Sequence, residues 1–248
     1  MRSNEEFEAV VGLCKVGLND CQVSRLTGIP RGTVRDMRTK GREGWSRSGR
    51  TEKDCPMCGS RSLDEKAYAY LLGIWLGDGC ISRHARGVFK LRIMLDQKYL
   101  GIVSECIRAI ESVRAFPKAR VGVTECLGCF EVGSHWKHWP CLFPQHGAGP
   151  KWKREIVLAQ WQEDIAKECP DQVVRGLIHS DGSRDMNWVK GKSYPRYQFT
   201  NNSYEIQEIF TTACERLGVH WARTYWKRIS VARRQSVAIL DQVVGSKY

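Results

Sequence analysis

The chain has 248 residues, a formal net charge of +12 and 11 cysteines. That length holds one large domain or two small ones, and the excess of Lys and Arg points to a polyanionic partner, nucleic acid before an anionic membrane surface. No apolar run is long enough to span a bilayer, no lipidation motif is present, and the segment from Met1 to Glu6 lacks the apolar core of a secretory signal. These features predict an intracellular, cytoplasmic and nucleoid-associated protein whose thiols are reduced or metal-bound rather than paired.

Residues 1–40 read as a small all-α unit. Phe7, Val10, Val11, Leu13 and Cys14 recur at helical spacing. Asn19-Asp20 caps a second short helix through Val23 and Leu26, Thr27-Gly28-Ile29 makes a turn, and Pro30 opens a third helix. The stretch from Asp20 to Val34 resembles a helix-turn-helix DNA-binding motif, which places Arg31, Thr33, Arg35 and Arg38 on the element that enters the major groove. A three-helix protein-interaction module is the competing reading. Residues 41–66 form a basic linker rich in Gly, Ser and Arg, suited either to track phosphates or to act as a solvated spacer. Within it, Cys55-Pro56-Met57-Cys58-Gly59 has the shape of a zinc knuckle. Cys126 and Cys129 could complete the site, as could ligands drawn from His135, His138, Cys141 and His146.

Two segments end alike on a carboxylate: Leu71 to Gly79 and Val174 to Gly182. Each carries two small residues four apart, Gly73 and Gly77 in one, Gly176 and Ser180 in the other, and residues four apart share a helix face. Two such helices can bring their backbones close together. Asp78 and Asp181 then emerge side by side at the negative ends of two helix dipoles, a placement that a divalent cation would relieve. Gly79 and Gly182 are expected to be left-handed C-caps.

The elements after each segment also repeat. A strand-like run comes first, Val88 to Leu95 and then Tyr194 to Thr200. A helix comes next, entered at Tyr99 or at Tyr204. Two further strand-like pieces lie at 120–124 and 130–133 in the first copy and at 219–223 and 228–232 in the second. A closing helix is weakly signalled from Trp136 and clearer from Gln235 to Val244. The copies occupy residues 67–150 and 151–248.

On these residues the chain resembles single-chain LAGLIDADG homing endonucleases, over about residues 67–245. The resemblance implies an α+β fold of two pseudo-symmetric halves, with the motif helices packed at the centre and two antiparallel sheets forming a saddle over DNA. It implies that Asp78 and Asp181 bind Mg²⁺, or Ca²⁺ or Mn²⁺ in its place, beside the scissile phosphates, with Gly77 and Ser180 adding backbone carbonyl ligands. Basic residues near the cleavage centre are also implied; Lys90, Lys137, Arg196 and Lys227 are the candidates. The sixth motif position, often acidic in the family, is Leu76 in one half and His179 in the other. Strand alternation puts Lys90 and Arg92 on one face, and Arg196 and Gln198 on another, side chains suited to reading guanine and adenine. Arg223, Arg228, Arg233 and Arg234 add positive charge, mostly for phosphates. The expected function is site-specific cleavage of double-stranded DNA by a monomer. The alternative is a DNA-binding transcriptional regulator on a non-cutting core, because a chain that adds a helix-turn-helix also resembles regulators of the bacterial WhiA type.

Overall fold

Side-chain caps define the first helices. Ser3 accepts from the Glu6 backbone N–H while the Glu6 carboxylate accepts from that of Ser3, opening α1 (Asn4–Lys15). Asn19 and Gln22 repeat the device at α2 (Asp20–Thr27), which ends at Gly28 with φ of 67°. Pro30 precedes α3 (Arg31–Trp45), whose helical backbone breaks at Gly41. Phe7, Val10, Val23, Ile29, Val34 and Met37 form a core of their own. This computed structural model describes residues 3–45, 55–114 and 121–245. The chain divides into two units, Met1–Asp54 and Cys55–Tyr248. Residues 46–54 of the expected linker and Arg120 of an expected strand lie outside the described residues.

The second unit holds the duplication. Asp64 accepts from the Ala67 N–H and starts α4 (Glu65–Asp78). The chain then forms β1 (Gly79–Arg83), β2 (Phe89–Asp96), α5 (Leu100–Arg114), β3 (Val121–Cys126), β4 (Cys129–Trp136) and a single helical turn, α6 (Trp139–Leu142). A connector leads to α7 (Gln160–Glu168). The second copy is α8 (Pro170–Asp181), β5 (Gly182–Val189), β6 (Lys192–Thr200), α9 (Tyr204–Arg216), β7 (Ala222–Tyr225), β8 (Arg228–Val231) and α10 (Arg234–Val244). The two four-stranded sheets are antiparallel and share one topology, β1-β2-β4-β3 and β5-β6-β8-β7. The helix expected from Trp136 stops after one turn, because Pro144 and the glycines at 147 and 149 come directly after it. Among the described residues no helix is long and apolar enough to cross a membrane.

The centre of this unit is the packing of α4 on α8. Every residue of α4 from Tyr68 to Leu76 is buried, since the helix meets α8 on one side and its own sheet on the other. A Cβ on Gly73 would lie 2.6 Å from the Val173 carbonyl oxygen, and one on Gly176 would collide with the Tyr70 carbonyl, so only glycine allows this approach. The glycines that end the motifs depart from the expectation. Gly79 (φ −96°, ψ 152°) and Gly182 (φ −106°, ψ 160°) are extended rather than left-handed. They are small because a Cβ would lie 2.7 Å from the Trp75 Cα in one case and 2.6 Å from the Ile178 Cα in the other. Helix therefore passes into strand with no intervening loop, and the aspartate stands at the junction.

Each sheet turns its apolar face to the helices. Leu91, Ile93 and Leu95 of β2 and Tyr197 and Phe199 of β6 are buried. The intervening Lys90 and Arg92, and Arg196 and Gln198, lie on the opposite faces.

Candidate active site at the paired helix ends

The close approach of α4 and α8 brings the two motif ends together. A Cβ on Gly77 would strike Ser180 and lie 2.9 Å from Asp181 Oδ2, so the carboxylate of one motif rests against the last turn of the other. Asp181 Oδ2 accepts from Asn201 Nδ2 at 2.6 Å. The Ser180 hydroxyl is turned back onto its own helix and donates to the Gly176 and Leu177 carbonyls at 3.1 Å. What Ser180 offers the centre is therefore its backbone carbonyl.

The centre also contains a cation that sequence reasoning did not single out. Lys151, from the connector, donates from Nζ to the carbonyls of Gly77 (3.2 Å) and Gly79 (2.6 Å) and stands 5.2 Å from the Trp75 ring centroid. Burial pushes its ammonium down to about 8, against the opposing pull of Asp181 and Asp78. Three residues on, burial also lowers the Arg154 guanidinium, whose Nε and Nη1 are enclosed with no hydrogen-bond partner among the described residues. Asp181, Lys151, Arg154, Asn201 and Lys227 line one cleft of about 440 Å³. The signal was present as Pro150-Lys151-Trp152-Lys153-Arg154, a basic and aromatic run at the expected boundary of the two copies and ahead of α8.

Of the four basic candidates, Lys227 lines this cleft. Lys90 lies on the outer face of β2 and pairs with Glu131 at 2.6 Å. Arg196 neighbours Gln198 on β6 and donates from Nε to the amide oxygen at 2.7 Å when the amide is turned to receive it. Lys137 is exposed beyond β4. Arg92 lies 3.9 Å from Glu131, and Arg228 and Arg233 are exposed. Arg223 points the other way, to Gln207 and over the Tyr204 ring of α9 at 5.3 Å, because it shares a strand face with Ile229. In the first unit Arg31 and Arg35 are exposed and Thr33 is half-buried, while Arg38 is held by Asp20 at 2.9 Å.

The sixth motif positions are structural. Leu76 is buried. His179 is buried, with Nε2 3.3 Å from the Val244 carbonyl and Nδ1 3.1 Å from the Tyr70 hydroxyl. Nε2–H donates to the carbonyl, and Nδ1 faces the Tyr70 hydroxyl with Glu105 Oε2 at 3.9 Å, so the ring is fixed between the helices.

The donors at the centre are carboxylates and backbone carbonyls, all hard oxygen, a set that suits Mg²⁺, Ca²⁺ or Mn²⁺. Elsewhere in the same unit, Cys55 and Cys58 come together with His138 and Cys141, each with a ligand atom within 4.8 Å of the others. The other candidates lie apart from this cluster: Cys126 and Cys129 face each other across the β3–β4 turn, His135 packs edge-on against His84, and His146 Nδ1 lies 3.0 Å from the Phe143 carbonyl.

No family model and no curated protein matches the sequence. Solved structures do match. The structure is similar to that of I-DmoI in complex with DNA and Mn, with a TM-score of 0.50 at 15% identity, covering 74% of this chain and 99% of that one. A variant of I-DmoI with its target DNA and Mg aligns with a TM-score of 0.51 at 15% identity, over 73% of this chain and 97% of that one. The N-terminal LAGLIDADG domain of WhiA aligns with a TM-score of 0.43 at 10% identity, over 74% of this chain and 83% of that one. Two four-stranded antiparallel sheets, one duplicated order of elements and a central pair of motif helices, matched at this level to I-DmoI, give the chain the α+β fold of the LAGLIDADG homing endonucleases.

Proposed function

We propose that the protein is a site-specific, double-stranded DNA endonuclease that acts as a monomer and hydrolyses phosphodiesters with a divalent cation held by Asp78 and Asp181. The observation that carries this reading is the convergence of the two motif ends: the Asp181 carboxylate lies against Gly77 of the facing helix, in a cleft whose other charged groups, Lys151, Arg154 and Lys227, are cations. A pure binder gains nothing from a carboxylate that lines a cleft meant for phosphate. The likeness to I-DmoI, described in complex with DNA and Mn, supports the same reading.

Asp78, Asp181 and the Ser180 carbonyl would hold Mg²⁺. When bound, the ion supplies an activated water and stabilises the charge that develops on the phosphoryl oxygens. Lys151 and Arg154 would bring positive charge to a phosphate in the cleft, which both residues line. Arg92, Arg196 and Gln198 on the outer sheet faces would read base edges, with Lys90, Arg228 and Arg233 against phosphates. Arg31, Thr33 and Arg35 of the first unit would add a second, helix-borne contact.

A second reading, a DNA-binding regulator that no longer cuts, draws on Lys151. Its ammonium already occupies the Gly77 and Gly79 carbonyls, so the acid pair has a resident counter-cation. Selection of bound and of cut sequences from a random DNA pool, with Mg²⁺ and with Ca²⁺, separates the two. The nuclease reading expects cutting with Mg²⁺ alone, with Asp78→Asn and Asp181→Asn each lowering the rate at least about 100-fold, roughly 3 kcal/mol of barrier, while binding persists. If both variants cut like the wild type, the acid pair is not the centre of the reaction.

A further inference from the structure

We propose that Cys55, Cys58, His138 and Cys141 bind one structural Zn²⁺, which clips the segment before α4 to the segment after β4. This site is separate from the acid pair and stands whether or not the protein cuts DNA.

The four residues come from two short segments some eighty positions apart, and each segment closes a tight turn on itself. The Gly59 N–H donates to the Cys55 carbonyl at 2.8 Å, and the Cys141 N–H to the His138 carbonyl at 3.0 Å. Each turn therefore presents two ligand atoms from positions i and i+3 to the same point. The four ligand atoms all lie within 4.8 Å of one another. Cys58 Sγ is 3.5 Å from Cys141 Sγ and 3.6 Å from His138 Nδ1, and Cys141 Sγ is 3.7 Å from that same nitrogen. A tetrahedron with Zn–S of about 2.3 Å and Zn–N of about 2.1 Å has edges of about 3.8 Å between sulfurs and about 3.6 Å between sulfur and nitrogen. The three edges among Cys58, His138 and Cys141 are within about 0.3 Å of those values, and Cys55 completes the set with its sulfur within 4.8 Å of the others. A disulfide would need its sulfurs at about 2.05 Å, and all the cysteines here are free thiols.

The donor set decides the metal and the role. Three thiolates and an imidazole favour zinc and disfavour Mg²⁺, so the two metals would not compete for each other's sites. Four protein ligands leave no open position for water or substrate, which makes the site structural rather than catalytic. Its surroundings agree. Cys55 is buried, the Trp136 ring lies 5.3 Å from His138, and the Leu142 carbonyl next to Cys141 accepts from the Tyr68 hydroxyl of α4. The clip thus pins the start of the connector that carries Lys151 and Arg154.

Metal analysis of the full-length protein, prepared with zinc in the medium and without chelators, tests the assignment. About one zinc per chain is expected, unchanged in Cys126→Ser/Cys129→Ser and lost in Cys58→Ser/Cys141→Ser. Because the latter pair could fail by unfolding, His138→Cys provides a second arm. It should keep one zinc, and after exchange with Co²⁺ it should show a stronger thiolate-to-cobalt charge-transfer band than the wild type. Absence of zinc from the wild type, iron in its place, a Cys58–Cys141 disulfide found by mass spectrometry, or equal loss of zinc from the Cys126/Cys129 variant would each overturn the proposal.

Discussion

A charged side chain is held by the partners around it, and the second unit shows several ways of supplying them. Arg175 on α8 forms a two-pronged pair with Glu105 on α5, at 2.6 and 2.9 Å, and its remaining donor caps the Val243 and Val244 carbonyls at the end of α10. One side chain thus ties both halves and closes the last helix. Asp241 on α10 accepts from Arg184 at 2.7 and 3.0 Å and from the Tyr197 hydroxyl at 2.7 Å, and the Arg184 guanidinium holds its carboxyl below the usual range. A carboxyl whose folded pKa is depressed contributes stability that is fully present above its unfolded value, about 3.9, and is lost as the pH falls through the folded value. Asp241→Asn should therefore lower stability at pH 7 and flatten its fall below pH 4, as read by denaturant titrations across that range. An unchanged acid limb would show that the pair carries no such linkage. Lys151 illustrates the opposite balance, with burial outweighing two nearby acids. No periodicity announces a lysine of this kind, because its role is fixed by where a connector crosses the helix ends, a tertiary property.

Among the elements, the motif helices were the most legible part of the sequence and the short strands the least. Small residues four apart at Gly73, Gly77, Gly176 and Ser180 reveal the packed face directly, because the steric requirement acts on those side chains and on nothing else. β1 and β5 escaped notice for a physical reason. Gly79–Arg83 is only five residues long, and Gly182–Val189 alternates polar groups on both faces, with Ser183, Arg184, Asp185 and Asn187 all in it. Their pairing with β2 and β6 makes them strands more than their own composition does. The motif-ending glycines were placed correctly as small residues, yet the reason lay in the reach of Trp75 and Ile178 rather than in a left-handed φ. The helix contact yields a prediction. Gly73→Leu would drive four carbons into the Val173 and Leu177 backbone and should destabilise the second unit by at least about 2 kcal/mol, seen as a lower Tm. A fully exposed position such as Leu127, changed to Ala, should leave the Tm unmoved. A neutral Gly73→Leu would mean that α4 and α8 can separate without loss.

At the scale of the molecule, duplication was readable because order and spacing repeat together, whereas the differences between the copies were not. The halves share a sheet topology, but His179 and Leu76 fill equivalent places with different chemistry, and the first half ends in one helical turn where the second ends in α10. The connector occurs once. Lys151 comes from it and bonds the carbonyls of Gly77 and Gly79 at the end of α4, so the two acids have been duplicated while this amine has not. For a nuclease built this way, the two strands of a target meet unequal machinery and should be opened in succession. A time course on supercoiled plasmid carrying the target should then pass through an accumulating nicked circle before linear product, with one strand consistently first, and Lys151→Met should change the ratio of the two rates. Simultaneous scission of both strands would mean that the lone amine is indifferent to which strand is cut. If the chain cuts as proposed, a fold that keeps two acids but only one such lysine would make a double-strand break as two ordered single-strand events.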